Sequence, residues 1–235
     1  MVPAEKQNAS NDNRKKVLIV DDHPIFREGL ADLINRQDDM EVCGMAKDVP
    51  QTLKALKKLK PDILTVDISL AASSGLELMK DIRIRFPGLP MLALSMHQES
   101  IYAERAIRAG AKGYITKQEA SKKVIAAIRK VLEGRLYLSD EMKEELLFSM
   151  IGSNGSEMVS SPVDRLTDRE LEVFQLLGQG KGTAQIADQL CLSAKTIETY
   201  RSRIKEKLNL KGGSELMRCA FQWASTQDKA WFPQI

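Results

Sequence analysis

Five short apolar runs punctuate the first half of the chain, at residues 17–20, 41–46, 63–67, 91–95 and 113–115. They are rich in β-branched and aliphatic residues, as strands buried on both faces of a parallel sheet must be. Between them, residues 24–36, 49–59, 75–86, 99–109 and 121–133 carry apolar positions at helical spacing. Pro61, Pro87 and Pro90 mark strand entries, and "RAGAKGY" has Gly110 where a helix should stop and Gly113 where a strand should start. Five strand–helix units in this order predict an α/β domain built on a doubly wound, five-stranded parallel sheet. Residues 139–149, "SDEMKEELLFS", read as one more amphipathic helix, and 151–164, rich in Ser and Gly without periodicity, as a linker. Residues 165–225 show no strand pattern and four helical segments, so a small all-α domain follows the α/β one.

Composition narrows this picture only in places. The 235 residues carry a net charge of +3, so any strongly basic surface must be local. Cys43, Cys191 and Cys219 are far apart, with no CxxC spacing, and read as reduced, buried thiols rather than a metal or redox site. No apolar run approaches the roughly 18 residues of a membrane span, and the polar N-terminus lacks a signal peptide's apolar segment. The expected location is the cytoplasm. The expected organisation is a disordered tail at 1–15, an α/β domain at 16–134, a helix and flexible linker at 135–164, an all-α domain at 165–228 and a tail at 229–235.

The candidate chemistry lies at strand ends. "KVLIVDDHP" closes the first strand with Asp21 and Asp22, and "DILTVD" closes the third with Asp67. Ligands of open α/β sheets bind at the carboxyl ends of the strands. If the first and third strands are neighbours, three carboxylates meet in one pocket, a site suited to a hard divalent cation, Mg2+ in particular. Ser95 ends the fourth strand and Lys117 follows the fifth. Carboxylates, a hydroxyl and an ammonium are what phosphoryl transfer to a carboxylate requires: Asp67 as nucleophile, the metal neutralising charge, Ser95 and Lys117 holding the transferred oxygens. Each residue alone has a plainer reading, Asp67 as a helix N-cap and Lys117 as a surface lysine. The joint pattern is what points to a site.

With "LIVDDHP", "DILTVDIS" ahead of "SGLEL", "MLALSMH" and "AGAKGYITK", residues 16–133 resemble the receiver domain of bacterial two-component response regulators. That resemblance implies the flavodoxin-like receiver fold. It also implies Asp67 as phosphoacceptor, Asp22 as a direct Mg2+ ligand supported by Asp21, and the backbone carbonyl of Ser69 as a further ligand. Ser95 becomes the switch hydroxyl, Tyr114 a switch aromatic that turns inward as Ser95 moves, and Lys117 the phosphate-binding lysine. His23 and His97 fall where the family varies. His97, two residues beyond Ser95, could set phosphate lifetime by shielding the site. One departure is the loop "ISLAASSG", 68–75, where relatives usually have proline at Ala71 and often glycine at Ala72.

In the second domain, Thr167 and Glu170 have capping-box spacing, and Leu171, Phe174 and Leu177 share a helix face. A short helix with Ile186, Ala187 and Leu190 inward precedes Ser193, which caps "AKTIETYRSRIKEKLNL". There Ile197, Tyr200, Ile204 and Leu208 share one face, and Lys195, Thr199, Ser202 and Glu206 lie opposite. Between 195 and 211 stand six Lys or Arg against two Glu, the local excess a nucleic-acid reader needs. Short helix, turn and basic second helix is the helix-turn-helix plan.

"LTDRELEVFQLLGQGKGTAQIADQLCLSAKTIETYRSRIKEKLNL" is similar to the four-helix DNA-binding domain of the LuxR/FixJ/NarL group. The similarity implies Glu198, Thr199 and Ser202 nearest base edges. Lys195, Thr196, Arg201, Arg203 and Lys205 then face phosphates, and Tyr200, where many relatives have His, can donate to one. The last helix, 214–224, with Leu216, Ala220 and Trp223, makes the dimer in relatives.

Together these features imply a response regulator of the NarL/FixJ type. A sensor histidine kinase would phosphorylate Asp67, and the protein would bind double-stranded DNA as a homodimer without being a metabolic enzyme. A phosphatase with an Asp nucleophile would need a second acid two residues on, where Ser69 stands. A phosphorylation-independent DNA binder would have no use for the Asp22, Asp67, Ser95 and Lys117 set.

Overall fold

The computed structural model describes residues 14–70, 73–151 and 162–226. The expected tails at 1–15 and 229–235, the linker core and the Ala71–Ala72 departure fall wholly or largely outside them. Strands β1 (Lys15–Val20), β2 (Met40–Ala46), β3 (Ile63–Asp67), β6 (Met91–Ser95) and β7 (Gly113–Thr116) form one parallel sheet in the order β2-β1-β3-β6-β7. Strands β4 (Ser69–Leu70) and β5 (Ser73–Ser74) make a small antiparallel hairpin immediately after Asp67.

Side-chain alternation along the strands divides the core in two. Val17, Ile19, Ile63, Leu92, Leu94 and Ile115 face helices α1 (Pro24–Asn35) and α5 (Lys117–Leu132), which bring Leu30, Ile34, Val124 and Ile128. Leu18, Val20, Leu64, Val66 and Ala93 face α2 (Val49–Leu59), α3 (Gly75–Arg85) and α4 (Glu99–Ala109), which bring Leu56, Met79, Ile82 and Tyr102. Helices on both faces explain why every residue of β3 and β6 is buried and why these strands read as continuous apolar runs. Asp48 and Ser74 cap α2 and α3 by accepting from the amides of Gln51 and Glu77.

Helix α5 starts at Lys117, four residues before the expected 121. Its first turn, "KQE", is polar, and its buried apolar positions begin at Ala120, so apolar periodicity does not register the start. Beyond α5, Tyr137 bridges in parallel to Gly113, and Tyr114 N donates to Tyr137 O at 2.9 Å. That extends the edge of the sheet before α6 (Asp140–Ile151).

After a 3-10 turn at Pro162–Arg165 come α7 (Asp168–Gly178), α8 (Thr183–Gln189), α9 (Ala194–Lys207) and α10 (Gly213–Thr226). The capping box is formed in full: Thr167 Oγ1 accepts from Glu170 N at 3.4 Å, and Glu170 Oε2 accepts from Thr167 N at 2.7 Å. Helices α7 and α10 cross so closely that a Cβ on Gly178 would lie 2.4 Å from the Ala220 carbonyl oxygen. Leu171, Phe174, Leu177, Ile186, Ile197, Ile204, Leu216 and Ala220 fill this core as the periodicity predicts. It forms one continuous buried cluster with the α2–α4 side of the first domain, Val163 and Leu166 included.

Candidate functional site

The strand order makes β1 and β3 neighbours, with Val20 paired to Val66. The next residues along each strand, Asp21 and Asp67, therefore converge, 0% and 1% exposed. Lys117 is aimed back over them from the start of α5: its Nζ is 2.7 Å from Asp67 Oδ2 and 2.8 Å from Asp21 Oδ2. The Phe26 ring lies 4.7 Å beneath this ammonium. Burial, and then the Asp67 charge, push the Asp21 carboxyl up against the pull of Lys117.

His23 is part of the cluster, which the sequence did not indicate. Its Nδ1 is 2.9 Å from Asp22 Oδ1, 3.2 Å from Asp21 Oδ1 and 3.7 Å from Asp67 Oδ2. The nearby Asp67 carboxylate, and then the Asp22 and Asp21 charges, push the imidazole up to about 9, against burial and the nearby Lys117. Ligand atoms of Asp21, Asp22, His23 and Asp67 all lie within 4.8 Å of one another. Three converging carboxylates are an oxygen-rich donor set, and that chemistry fits Mg2+.

Ser69 N donates to Asp67 Oδ1 at 3.1 Å, so the hairpin after β3 is tied to the carboxylate it follows. Ser95, fully buried, ends β6 one step past the Asp67–Leu94 pair and accepts from His97 N at 3.0 Å. His97 is a hub that sequence reasoning placed only near the pocket. Its Nε2 lies 3.1 Å from Ser69 Oγ and its ring stacks on Tyr102 at 4.6 Å, with burial holding its pKa down. Tyr114 is already inward, 2% exposed, its hydroxyl donating to His97 O at 2.8 Å. The expected inward turn of Tyr114 is therefore not a movement this conformation has left to make.

On α9, Lys195, Glu198, Thr199, Ser202 and Arg203 are exposed, and Thr196, Tyr200, Arg201 and Lys205 are half-buried. Tyr200 packs against the helical core. Thr183, at the start of α8, joins this face: its Oγ1 donates to Glu198 Oε1 at 2.7 Å and accepts from Arg201 Nη1 at 2.6 Å. Glu198 and Arg201 are thus held to each other and to α8, while Thr199, Ser202 and Arg203 point outward. The turn between α8 and α9 contains Cys191 at φ 51°, exposed, contrary to the expectation of three buried thiols; Cys43 is half-buried and Cys219 buried.

A parallel sheet with carboxylates, a hydroxyl and a lysine at its carboxyl edge, joined to a four-helix helix-turn-helix unit, defines the class of DNA-binding response regulators. Residues 17–129 match the response regulator receiver domain family, and residues 164–220 match the luxR family of bacterial regulatory proteins. The chain is similar to the oxygen regulatory protein NreC of Staphylococcus carnosus (strain TM300), 35% identical over 210 residues that cover 88% of this chain and 97% of that one. It is also similar to the response regulator GacA of Pseudomonas syringae pv. syringae (strain B728a), 33% identical over 201 residues covering 86% and 92%. Among solved structures, RcsB from Salmonella enterica serovar Typhimurium, bound to promoter rprA in the presence of phosphomimetic BeF3-, matches with a TM-score of 0.57 at 25% identity, over 88% of this chain and 98% of that one. A LuxR-family response regulator from Aurantimonas sp. SI85-9A1 matches with 0.54 at 33% identity, over 59% and 99%. The chain belongs to the NarL/FixJ family of two-component response regulators and is a transcription regulator with a receiver and a LuxR-type DNA-binding domain. Among the described residues, no helix is long and apolar enough to cross a membrane.

Proposed function

We propose that Asp67 is phosphorylated by a sensor histidine kinase and that this controls dimeric, sequence-specific binding to double-stranded DNA. The observation that carries this reading is Lys117 bridging Asp67 and Asp21 at the joined ends of β1 and β3. An Asp67 carboxylate oxygen forms the new bond to phosphorus as the donor's P–N bond breaks, and the donor imidazole leaves with the electron pair. Lys117 and the Ser95 hydroxyl hold the transferred oxygens, and Ser69 N orients the carboxylate. Asp21, Asp22, Asp67 and the Ser69 carbonyl would hold Mg2+, which supplies charge neutralisation when bound. Ser95 and Tyr114 carry the state of the pocket outward. Beyond its own phosphoryl transfer and hydrolysis the protein is not an enzyme.

On this reading the receiver occupies 16–134, a helix and linker 135–164, and the DNA-binding domain 165–228. Thr199, Ser202 and Glu198 face bases, with Lys195, Thr196, Tyr200, Arg201, Arg203 and Lys205 at the phosphates. Helix α10 makes the dimer, and the site of action is the cytoplasm. The RcsB structures bound to promoters, and one of two RcsB dimers on two parallel DNAs, support a DNA-bound dimer for this chain. The test is incubation with Mg2+ and acetyl phosphate, read by intact-protein and peptide mass spectrometry. About one phosphoryl group per chain is expected, on Asp67 and absent from Asp67→Asn. Label persisting on Asp67→Asn, or uptake in excess chelator, refutes it.

A further inference from the structure

Helix α9 carries one exposed stripe, and a carboxylate stands in the middle of it. Lys195, Glu198, Thr199 and Ser202 recur at helical spacing, so they share a face, and all four are exposed. Ile197 and Ile204, fully buried, fix the opposite side against the helical core. Ser193 caps the start by accepting from Thr196 N at 3.1 Å. The stripe is therefore set in one orientation. Thr199 donates its hydroxyl proton to the Lys195 carbonyl at 3.0 Å, which spends its only side-chain donor within the helix.

A free carboxylate at Glu198 would be a poor neighbour for DNA, because phosphates repel it. Glu198 is not free. Thr183 Oγ1, from the start of α8, donates to Glu198 Oε1 at 2.7 Å. Arg201 Nη1 donates to the same oxygen at 3.2 Å and to Thr183 Oγ1 at 2.6 Å. The three side chains close a triangle. The threonine hydroxyl has one proton, committed to Glu198, and it uses a lone pair to accept from Arg201. The guanidinium offsets the carboxylate's charge through Nη1, and its other N–H groups take no part in the triangle. Both bonds to the carboxylate fall on Oε1, so Oε2 takes part in neither, and the side chain is still 59% exposed.

An acceptor held in the major groove discriminates among base edges. Cytosine offers its N4 amino group, a donor. Guanine and thymine offer acceptors, which a carboxylate repels, and adenine sets the N7 acceptor beside its amino donor. Cytosine is the base that matches a carboxylate. A glutamate free to rotate would have to be ordered on binding, at a cost of about 2- to 10-fold in affinity. The bond from Thr183 meets that cost before DNA arrives, and it does so from the other helix of the motif.

We infer that Glu198 reads a cytosine amino group in the major groove, and that Thr183 is the positioning residue that sets this specificity. This rests on the reading of α9 as the DNA-reading helix. The test uses the full chain, incubated with Mg2+ and acetyl phosphate, on a randomised duplex library, with base preferences counted by sequencing the bound fraction. The parent should favour C·G about tenfold at one position of each half-site. Glu198→Gln should move that position to A·T, because a glutamine amide pairs bidentately with adenine. Thr183→Val removes the hydroxyl at similar volume and should cut the preference there to about two- to threefold, with the other positions unchanged. Thr183→Ser keeps the hydroxyl and should keep the preference. A Thr183→Val profile equal to the parent's, or a loss spread evenly over every position, overturns the role of Thr183. A Glu198→Gln profile equal to the parent's overturns the role of Glu198. A parent without sequence preference, or one whose preference survives Glu198→Gln, Thr199→Ala and Ser202→Ala alike, removes α9 as the reader and this inference with it.

Discussion

Replacing Gly75 by alanine should damage the fold and the pocket together. Gly75 opens α3, and its amide donates to the Ile68 carbonyl at 2.8 Å, closing the loop that leaves Asp67. A Cβ there would lie 1.9 Å from the Asp67 carbonyl oxygen, 2.8 Å from its carbon and 2.9 Å from Ile68 Cα. All three are backbone atoms, so no side-chain rotation relieves the overlap, and α3 or the Asp67 loop must shift by roughly 1 Å. Overpacking of this kind costs about 1–3 kcal/mol, partly offset by about 0.5–1 kcal/mol from the stiffer unfolded chain, leaving a net loss of roughly 0–2.5 kcal/mol. The same shift would take Asp67 out of the 2.7 Å contact with Lys117. A misplacement of about 1 Å can cost a reaction about 100-fold. Urea denaturation reads the first effect and the rate of phosphorylation by acetyl phosphate the second. Gly29→Ala is the control: it sits within α1 with nothing within 4 Å of its Cβ, and should gain about 0.5–1 kcal/mol with phosphorylation unchanged. If Gly75→Ala matches the parent in both assays, the start of α3 does not fix the Asp67 loop.

Two further outcomes follow from the second domain. Arg203→Ala and Lys205→Ala should weaken binding to all duplexes alike and flatten the salt dependence by about one unit each. Thr199→Ala and Ser202→Ala should instead cost about 1–3 kcal/mol on the operator and little on random DNA. Fluorescence anisotropy across salt separates the two patterns, and an operator preference untouched by the Thr199 and Ser202 changes would remove α9 as the reader. For Glu170, burial opposes ionisation but is outweighed by Lys207, at 2.6 Å, and the Thr167 capping bonds, so its pKa is lowered on folding. Its contribution is present above the ordinary glutamate value of about 4.3 and is lost as pH falls through the lower folded value. Urea midpoints of the parent should drop over that acid range more steeply than those of Glu170→Gln, and parallel curves would contradict the assignment.

Much of this molecule could be read from the order of its residues, because the reading depended on local pattern. Buried strands such as β3 and β6 are written as unbroken apolar runs, and element limits follow from Pro61, Gly110, Thr167 and Ser193, whose chemistry acts within a few residues. The meeting of Asp21 with Asp67 required one topological assumption, that β1 and β3 are neighbours, which the strand order bears out. Features made by long-range contact left no such trace. Asp168 and Gln175 look like the polar side of an amphipathic helix, and only contact with Arg105, Lys80 and Tyr102 gives them their partners. The β4–β5 hairpin is two residues to a strand, too short for alternation to register. The exposure of Cys191 follows from its left-handed turn, which an apolar neighbourhood in sequence does not reveal.

Lys117 has a consequence for how freely this domain can change. It stands in the first turn of α5, where the helix dipole disfavours a cation, and it is buried with two carboxylates that also lose hydration. Buried ion groups of this sort can often be replaced by apolar side chains of similar volume at no loss, or at a gain of about 1–4 kcal/mol. The receiver therefore keeps a reserve of stability that mutation can reach only by abolishing the pocket. A descendant released from signalling would drift toward aliphatic residues at positions 21, 67 and 117, becoming hardier and mute in the same steps.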